Sequence, residues 1–198
     1  MRVRFIGEIS GFGTGSGHRV VIGRWTTSPF GSFADVMIES PDGVRTLLAP
    51  SDEIASFVSS TYEFDEVCVV EVTVRRGERD LVCRAGGLCV RVDLGSRTML
   101  GRLLRLVPRR LAVSPAWCSV VDPLAKVLLR GVRTKGSAGH QRREWYGATD
   151  QFRIDGLDGS WHDRSLGPLA EVWPPVNFGF SSTPRRPSTV AVVTTVEM

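Results

Sequence analysis

The stretch richest in groups that do chemistry covers residues 133–147 and holds Arg133, Lys135, His140, Arg142, Arg143, Glu144, Trp145 and Tyr146. An imidazole beside a carboxylate is a common pair for acid–base work, so His140 is a candidate general base with Glu144 to orient it. Arginine forks hold phosphate or carboxylate through two hydrogen bonds at once. Lys135, Arg142 and Arg143 beside Trp145 and Tyr146 therefore form a candidate site for a small anionic ligand. A second stretch, Ser181-Ser182-Thr183-Pro184-Arg185-Arg186-Pro187, has a similar composition. Arg185 and Arg186 are expected to line the same mouth. The plainer alternative is a solvated loop with Glu144 paired to Arg143 at a strand edge.

Charge patterning supports an anion partner. The chain of 198 residues carries a formal charge of only +4. Residues 1–94 have a net charge of −3, residues 95–146 of +9, and residues 147–198 of −2. Such local asymmetry marks either a solvated face that answers acidic neighbours or a surface for an anion. Arg97, Arg102, Arg105, Arg109 and Arg110 are expected along one face of a helix, opposite its leucines. Nucleic acid fits less well, because no aromatics are interleaved with these arginines and no helix-turn-helix or zinc-finger spacing occurs. A membrane-surface helix would want Trp or Phe on its apolar face, where this one has Leu and Val.

Other chemistries lack support. Gly11-Phe12-Gly13-Thr14-Gly15-Ser16-Gly17 follows a strand, but a strand follows it in turn, and it has no Gly-Lys-Ser/Thr ending. A phosphate-cradling loop needs a helix at that point, so a flexible hairpin loop or lid is expected. His18, His140 and His162 are joined by no nucleophile elbow, and no metal-ligand spacing is present. No metal or cofactor is expected. Cys68, Cys83, Cys89 and Cys118 form no C-x-x-C pair and read as free, small apolar side chains. No run of about 18 apolar residues occurs, and the N-terminal apolar stretch is too short for a signal peptide. A cytoplasmic protein is expected.

These residues need elements to hold them. Period-2 alternation predicts strands over 2–10, 18–25, 33–39 and 44–49, the last two a hairpin turned by Pro41-Asp42-Gly43. Ser51 should cap a short helix to about residue 61. A long hairpin over 66–75 and 80–93 follows, with a bulge or bend at Gly86-Gly87. Ser96 should cap a helix bearing Leu100, Leu103, Leu104 and Val107, ended by Pro108. Asp122-Pro123 should open another, bearing Leu124, Val127, Leu128 and Val132. Ser114-Pro115 offers an earlier helical turn. Strands resume over 144–154, with a turn at 155–159 and a return over 160–165 in which His162-Asp163 is a hairpin pair. An ordered loop over 167–187 leads to a last core strand, 189–196.

The order strands, helices, strands argues for an α+β fold, not a doubly wound one. The expected architecture is one domain over residues 1–198: an antiparallel sheet or open barrel with two to three helices inserted mid-chain. Residues 1–94 form its strand-rich half, 95–143 the helical segment and 144–198 a strand-rich C-terminal part.

Basic residues are 23 Arg against Lys126 and Lys135 alone, which fits a GC-rich genome. With Ser28-Pro-Phe-Gly-Ser-Phe-Ala-Asp-Val, Arg143-Glu-Trp-Tyr-Gly-Ala and Ser181-Ser-Thr-Pro-Arg-Arg-Pro, the chain resembles a conserved family of high-GC actinobacteria with no assigned activity. By architecture it is also comparable to the acetoacetate decarboxylase-like barrels. That chemistry needs a desolvated lysine. Lys126 falls on the outer face of its helix and Lys135 in a loop, so the activity is not expected. The leading expectation is a small-molecule binding domain for a phosphate or carboxylate. The alternatives are an enzyme with His140 as base, or a protein-interaction module. Assembly into a homo-oligomer stays open.

Overall fold

Side chains alternate between the two faces of a strand. Residues 20–22 and 36–38 are apolar on both faces, so both faces of that part of the sheet must be covered. The computed structural model describes residues 2–128, 135–138, 142–179 and 181–197. Its strands are β1 (Arg2–Thr14), β2 (Arg19–Thr27), β3 (Phe33–Glu39), β4 (Arg45–Ala49), β5 (Glu66–Val69), β6 (Val72–Arg76), β7 (Asp80–Ala85), β8 (Leu88–Arg97), β9 (Lys135–Ala138), β10 (Arg142–Trp161), β11 (Arg164–Ser165), β12 (Leu169–Ala170) and β13 (Ser188–Glu197). The helices are α1 (Asp52–Ser59), α2 (Met99–Leu106), α3 (Arg109–Ala112) and α4 (Pro115–Leu128).

Ten strands follow one path, β5-β4-β3-β2-β1-β13-β10-β8-β7-β6, with β9, β11 and β12 paired to its side. Every described pairing is antiparallel except β4 with β5. The sheet is thus mixed, and the helices among the described residues number four. Strands β5 and β6 lie at opposite ends of the path, yet only Val70 and Glu71 separate them. Three peptide steps span at most about 11 Å. The two ends must therefore meet, and the sheet curls into an open barrel.

One face of β1–β4 fills that curl. Phe12, Val20, Ile22, Val36, Ile38 and Leu48 pack there against Leu81, Cys83, Leu88, Val90, Val92 and Leu166. Each of these is almost wholly withdrawn from solvent. Truncating such a residue to alanine costs about 2–5 kcal/mol.

Several boundaries differ from expectation, each for a physical reason. The glycine-rich segment is not a flexible loop: Gly11 and Gly13 lie within β1, and the turn is confined to residues 15–17. A Cβ on Gly13 would stand 2.1 Å from the carbonyl oxygen of Glu171, and one on Gly11 would meet Thr183 at 2.6 Å. The glycines admit a covering segment. Residues 66–75 are two strands, not one arm. Gly86-Gly87 is a two-residue turn between β7 and β8, with Ala85 facing Leu88 and Gly86 at positive φ. Residues 155–159 continue β10, because Gly156 and Gly159 make room for Asp93 and the Cys89 carbonyl. His162 and Asp163 do turn a hairpin, both with positive φ.

Helix starts shift as well. Ser51 caps α1 as expected, accepting from the Ile54 amide. Ser96 does not cap α2. Strand β8 runs on to Arg97, and Thr98 accepts from the Gly101 amide. Asp122-Pro123 falls inside α4, which Ser114-Pro115 opens, with the Trp117 amide on Ser114 Oγ at 3.2 Å. Of the arginines expected along α2, only Arg102 and Arg105 lie on it. Arg97 precedes it and pairs with Asp150 at 2.8 Å. Arg109 and Arg110 belong to α3. No helix among the described residues is long and apolar enough to cross a membrane.

The close approach at Gly13 separates a strand from a flexible loop. Gly13→Ala should lower stability by about 1–3 kcal/mol through overpacking, read as a fall in denaturation midpoint. In a flexible loop the same change would be neutral or slightly stabilising.

Candidate functional site

The opposite face of the sheet lines a cavity of about 660 Å³. Its floor takes every second residue: Phe5, Ile9 and Gly11 from β1, Val21, Gly23 and Trp25 from β2, and Phe33, Asp35 and Met37 from β3. β13 adds Val190, Val192, Thr194 and Val196, and β10 adds Glu144, Tyr146, Ala148 and Gln151. The step from Ala148 to Gln151 breaks the alternation because a bulge shifts the register there.

Four pieces roof this floor. α1 supplies Phe57 and Val58, and Phe57 stacks on Phe5 with ring centroids 5.1 Å apart. α2 supplies Leu100, Leu103 and Leu104, and α4 supplies Trp117 and Val121. Thr98 Oγ1 donates to Gln151 Oε1 at 2.8 Å, which ties the start of α2 to the cavity wall. Val176, Phe178 and the residues 181–184 close another side. They are pinned by the Asn177 amide on Glu39 at 2.9 Å and by Arg45 on the Asn177 carbonyl. Glu39 is itself held by Arg19 at 3.1 Å in a buried ion pair. Removing one partner of such a pair leaves a charge unanswered and costs about 3–5 kcal/mol.

The lining is predominantly apolar; its polar groups are one hydrogen-bonded cluster, the Asp35 carboxyl, Gln151 and several Ser and Thr hydroxyls. Tyr62 donates to Glu144 at 3.0 Å and 3.1 Å, and its oxygen also bonds to the Tyr146 hydroxyl. Tyr146 shares in the bonding to Glu144. Burial pushes the Glu144 carboxyl up to about 7, against the opposing pull of the two phenols. Both tyrosines are held well above their ordinary range, by burial first and then by the neighbouring carboxylate. They stay protonated. Asp35 is likewise raised to about 6 by burial, although the Trp25 indole donates to it at 2.8 Å. Gly23 stands opposite Asp35 on the next strand, where a Cβ would meet the Asp35 carboxyl at 2.5 Å.

This arrangement switches what it offers. When Glu144 is ionised, the cluster has two phenol hydrogens for its three internal contacts and is an acceptor. When Glu144 is protonated, the cluster gains a third hydrogen, and exchanging one internal contact for a ligand lets it donate.

The expected site residues divide clearly. Glu144 and Tyr146 meet in the cavity wall. Trp145 points to the other face of β10, where its indole donates to Ser119 at 3.4 Å and Arg2 lies over its ring. Arg185 pairs with Glu171 at 2.8 Å and lies over Trp173, away from the lining, and Arg186 is exposed. The backbones of Lys135, Arg142 and Arg143 lie in β9 and β10, with Arg142 opposite Ala138. His140 lies outside the described residues. Tyr62, Asp35, Trp25 and Gln151 were not expected. Asp35 had a visible signal, a carboxylate at strand spacing between Phe33 and Met37. Tyr62 had none, being 82 residues from its partner. Of the cysteines, Cys83 and Cys118 are buried, with thiols raised to about 12 and about 11, while Cys68 is half-buried and Cys89 exposed.

Fold and site together define a curled, largely antiparallel sheet with an apolar, helix-roofed cavity on the face away from its core. No family model matches the chain, and no curated protein matches its sequence. Among solved structures it is similar to an acetoacetate decarboxylase from Legionella pneumophila subsp. pneumophila str. Philadelphia 1. The identity is 11% and the TM-score 0.48, over 99% of this chain and 85% of that one. At that distance the likeness supports no statement about activity.

The raised carboxyls make stability depend on pH. A buried group that stays protonated favours the folded state fully below its ordinary value, 4.5 for Glu144. That advantage is lost as pH rises through about 7 for Glu144 and about 6 for Asp35. The midpoint difference between wild type and Glu144→Gln should therefore shift against wild type from pH 4.5 to 7, by about 2–4 °C per kcal/mol, and be flat above. Thermal scans across that range measure it.

Proposed function

We propose that the protein binds a predominantly apolar, uncharged small molecule that presents one carbonyl or hydroxyl group to Glu144, Tyr62 and Tyr146. The observation that carries this is the hydrogen-bonded cluster of Glu144, Tyr62 and Tyr146 in the wall of a predominantly apolar cavity. Its size falls within the range of about 300–1,000 Å³ usual for small-molecule sites. Charge favours a neutral ligand over the anion expected from the arginines. Among the described residues the lining holds two carboxyl groups and no Lys, Arg or His. A phosphate or carboxylate there would face like charge in a medium of low dielectric.

A second reading rests on Glu144 itself. A carboxyl that titrates near neutrality beside two phenols can give and take a proton in a water-poor site. Turnover of such a ligand would follow the ionisation of Glu144 through about pH 7. It would be lost in Glu144→Gln with binding retained.

The binding reading is tested with N-phenyl-1-naphthylamine, a neutral apolar fluorophore. Wild type should bind it, and Ala148→Phe, which fills the floor, should bind about tenfold more weakly, a loss near 1.4 kcal/mol. A medium-chain alcohol or ketone should displace the probe, and the matched carboxylate should do so about tenfold less well at pH 8. Equal binding by both proteins sinks the proposal. Better competition by the carboxylate would return the site to an anionic ligand.

A further inference from the structure

The roof of the cavity is unusual on its outer side. Met99, Leu103 and Leu106 stand at spacings of four and three on α2, so they share one stripe. They are 78%, 52% and 79% exposed. Val120 on α4 is 71% exposed, and Leu111 on α3 is exposed as well. A helix that covers a cavity normally turns its apolar residues inward. Here Leu100 and Leu104 do so, while Met99 and Leu103 stand exposed at the cavity rim and Leu106 faces out beyond it.

Two further observations say what covers that stripe. Arg102 and Arg105 are exposed on the same helix, three residues apart on the adjoining row, and Arg110 is exposed on α3. They belong to the segment of net charge +9. An apolar stripe edged by arginines is the pattern of a helix lying in an anionic interface, with its side chains in the acyl boundary and its guanidinium groups at the phosphates. Continuity with the cavity is the second observation. Met99 and Leu103 are both exposed and part of the cavity lining. The outer stripe and the interior thus form one apolar surface that opens through α2.

We propose that the outer face of α2 docks onto an anionic lipid bilayer and that the cavity exchanges its ligand through that contact. This rests on the reading of the cavity as a site for an apolar molecule, since such molecules partition into bilayers. It departs from the expectation drawn from Leu100, Leu103, Leu104 and Val107. The outer stripe also lacks Trp and Phe, and the proposal rests instead on its exposure and on the arginines beside it.

Leu106, Arg102 and Arg105 are absent from the cavity lining. They can be changed without touching the binding site. In vesicle flotation, wild type should associate with phosphatidylcholine vesicles containing one quarter phosphatidylglycerol, about tenfold more than with phosphatidylcholine alone, and should be released by salt. Leu106→Asn and Arg102→Glu/Arg105→Glu should each reduce association about tenfold. Their melting midpoints and their affinity for N-phenyl-1-naphthylamine in solution should stay those of wild type. That solution affinity tests the cavity independently, so failure of membrane docking and failure of ligand binding are told apart. The docking proposal is overturned if no vesicles are bound or if neither variant weakens association. It is overturned equally if light scattering shows a dimer of wild type that Leu106→Asn splits, because a second copy then covers the face.

Discussion

Val70 and Glu71 are the only residues between β5 and β6, which end the strand path on opposite sides. A chain that short cannot cross a flat sheet of ten strands, each about 4.8 Å from the next. The curl is therefore a covalent constraint as much as a packing preference. It brings β6, β7 and β8 against one face of β1–β4 and encloses the main core. Because that face is taken, the opposite face of the same strands must find other cover. α1, α2, α4, Val176, Phe178 and residues 181–184 supply it, and they leave a cavity between themselves and the sheet. The cavity follows from the closure of the sheet on its other side.

Burial then decides the chemistry of the polar groups left in the wall. Glu144 is kept near neutrality by the loss of water, against the effect of two phenol donors. Asp35 shows the same balance with a single indole donor. The exposed Asp65 shows the reverse: Arg45 holds it through its guanidinium and backbone amide and draws its carboxyl down to about 2. One residue class in one fold thus spans about five units, and the difference is hydration and partner charge. Glu144 and Asp35 are costly to bury without a charge partner. A wall that carries them in place of leucines is organised around something other than stability.

What the sequence makes legible depends on the range of the interaction. Strand β3 is readable to the residue from its alternation, and α1 from Ser51 and the acids after it, because those signals are local. Glu144 and Tyr146 are visible as an odd pair at the start of a strand. Glycine misleads at two scales. Gly86-Gly87 is a turn between two strands where a bulge or bend within one was expected, and Gly156 and Gly159 lie within a strand where a turn was expected. At Gly156 and Gly159 the deciding atoms belong to another strand, as with the Cys89 carbonyl over Gly159. Tyr62 is invisible for the same reason. Its role exists only once the curl has carried the end of α1 to β10.

The arginine-rich segment shows how charge is sorted between a cavity and its surroundings. The net charge of +9 is real, and it suggested an anion held inside a site beside Arg142 and Arg143. Where the arginines of that segment have described side chains, they stand outside the cavity. Arg97 is held by Asp150, and Arg102, Arg105 and Arg110 face solvent. Charge is cheap at a surface and expensive in an apolar interior, so a cavity built from valine, phenylalanine and leucine pushes its cations outward. There they meet Met99, Leu103 and Leu106, which the same helix leaves uncovered. An outer surface both cationic and apolar, over an interior both acidic and apolar, separates two tasks. Under the proposed docking, the inside would disfavour anions, while the outside would meet an anionic surface in which an apolar ligand dissolves.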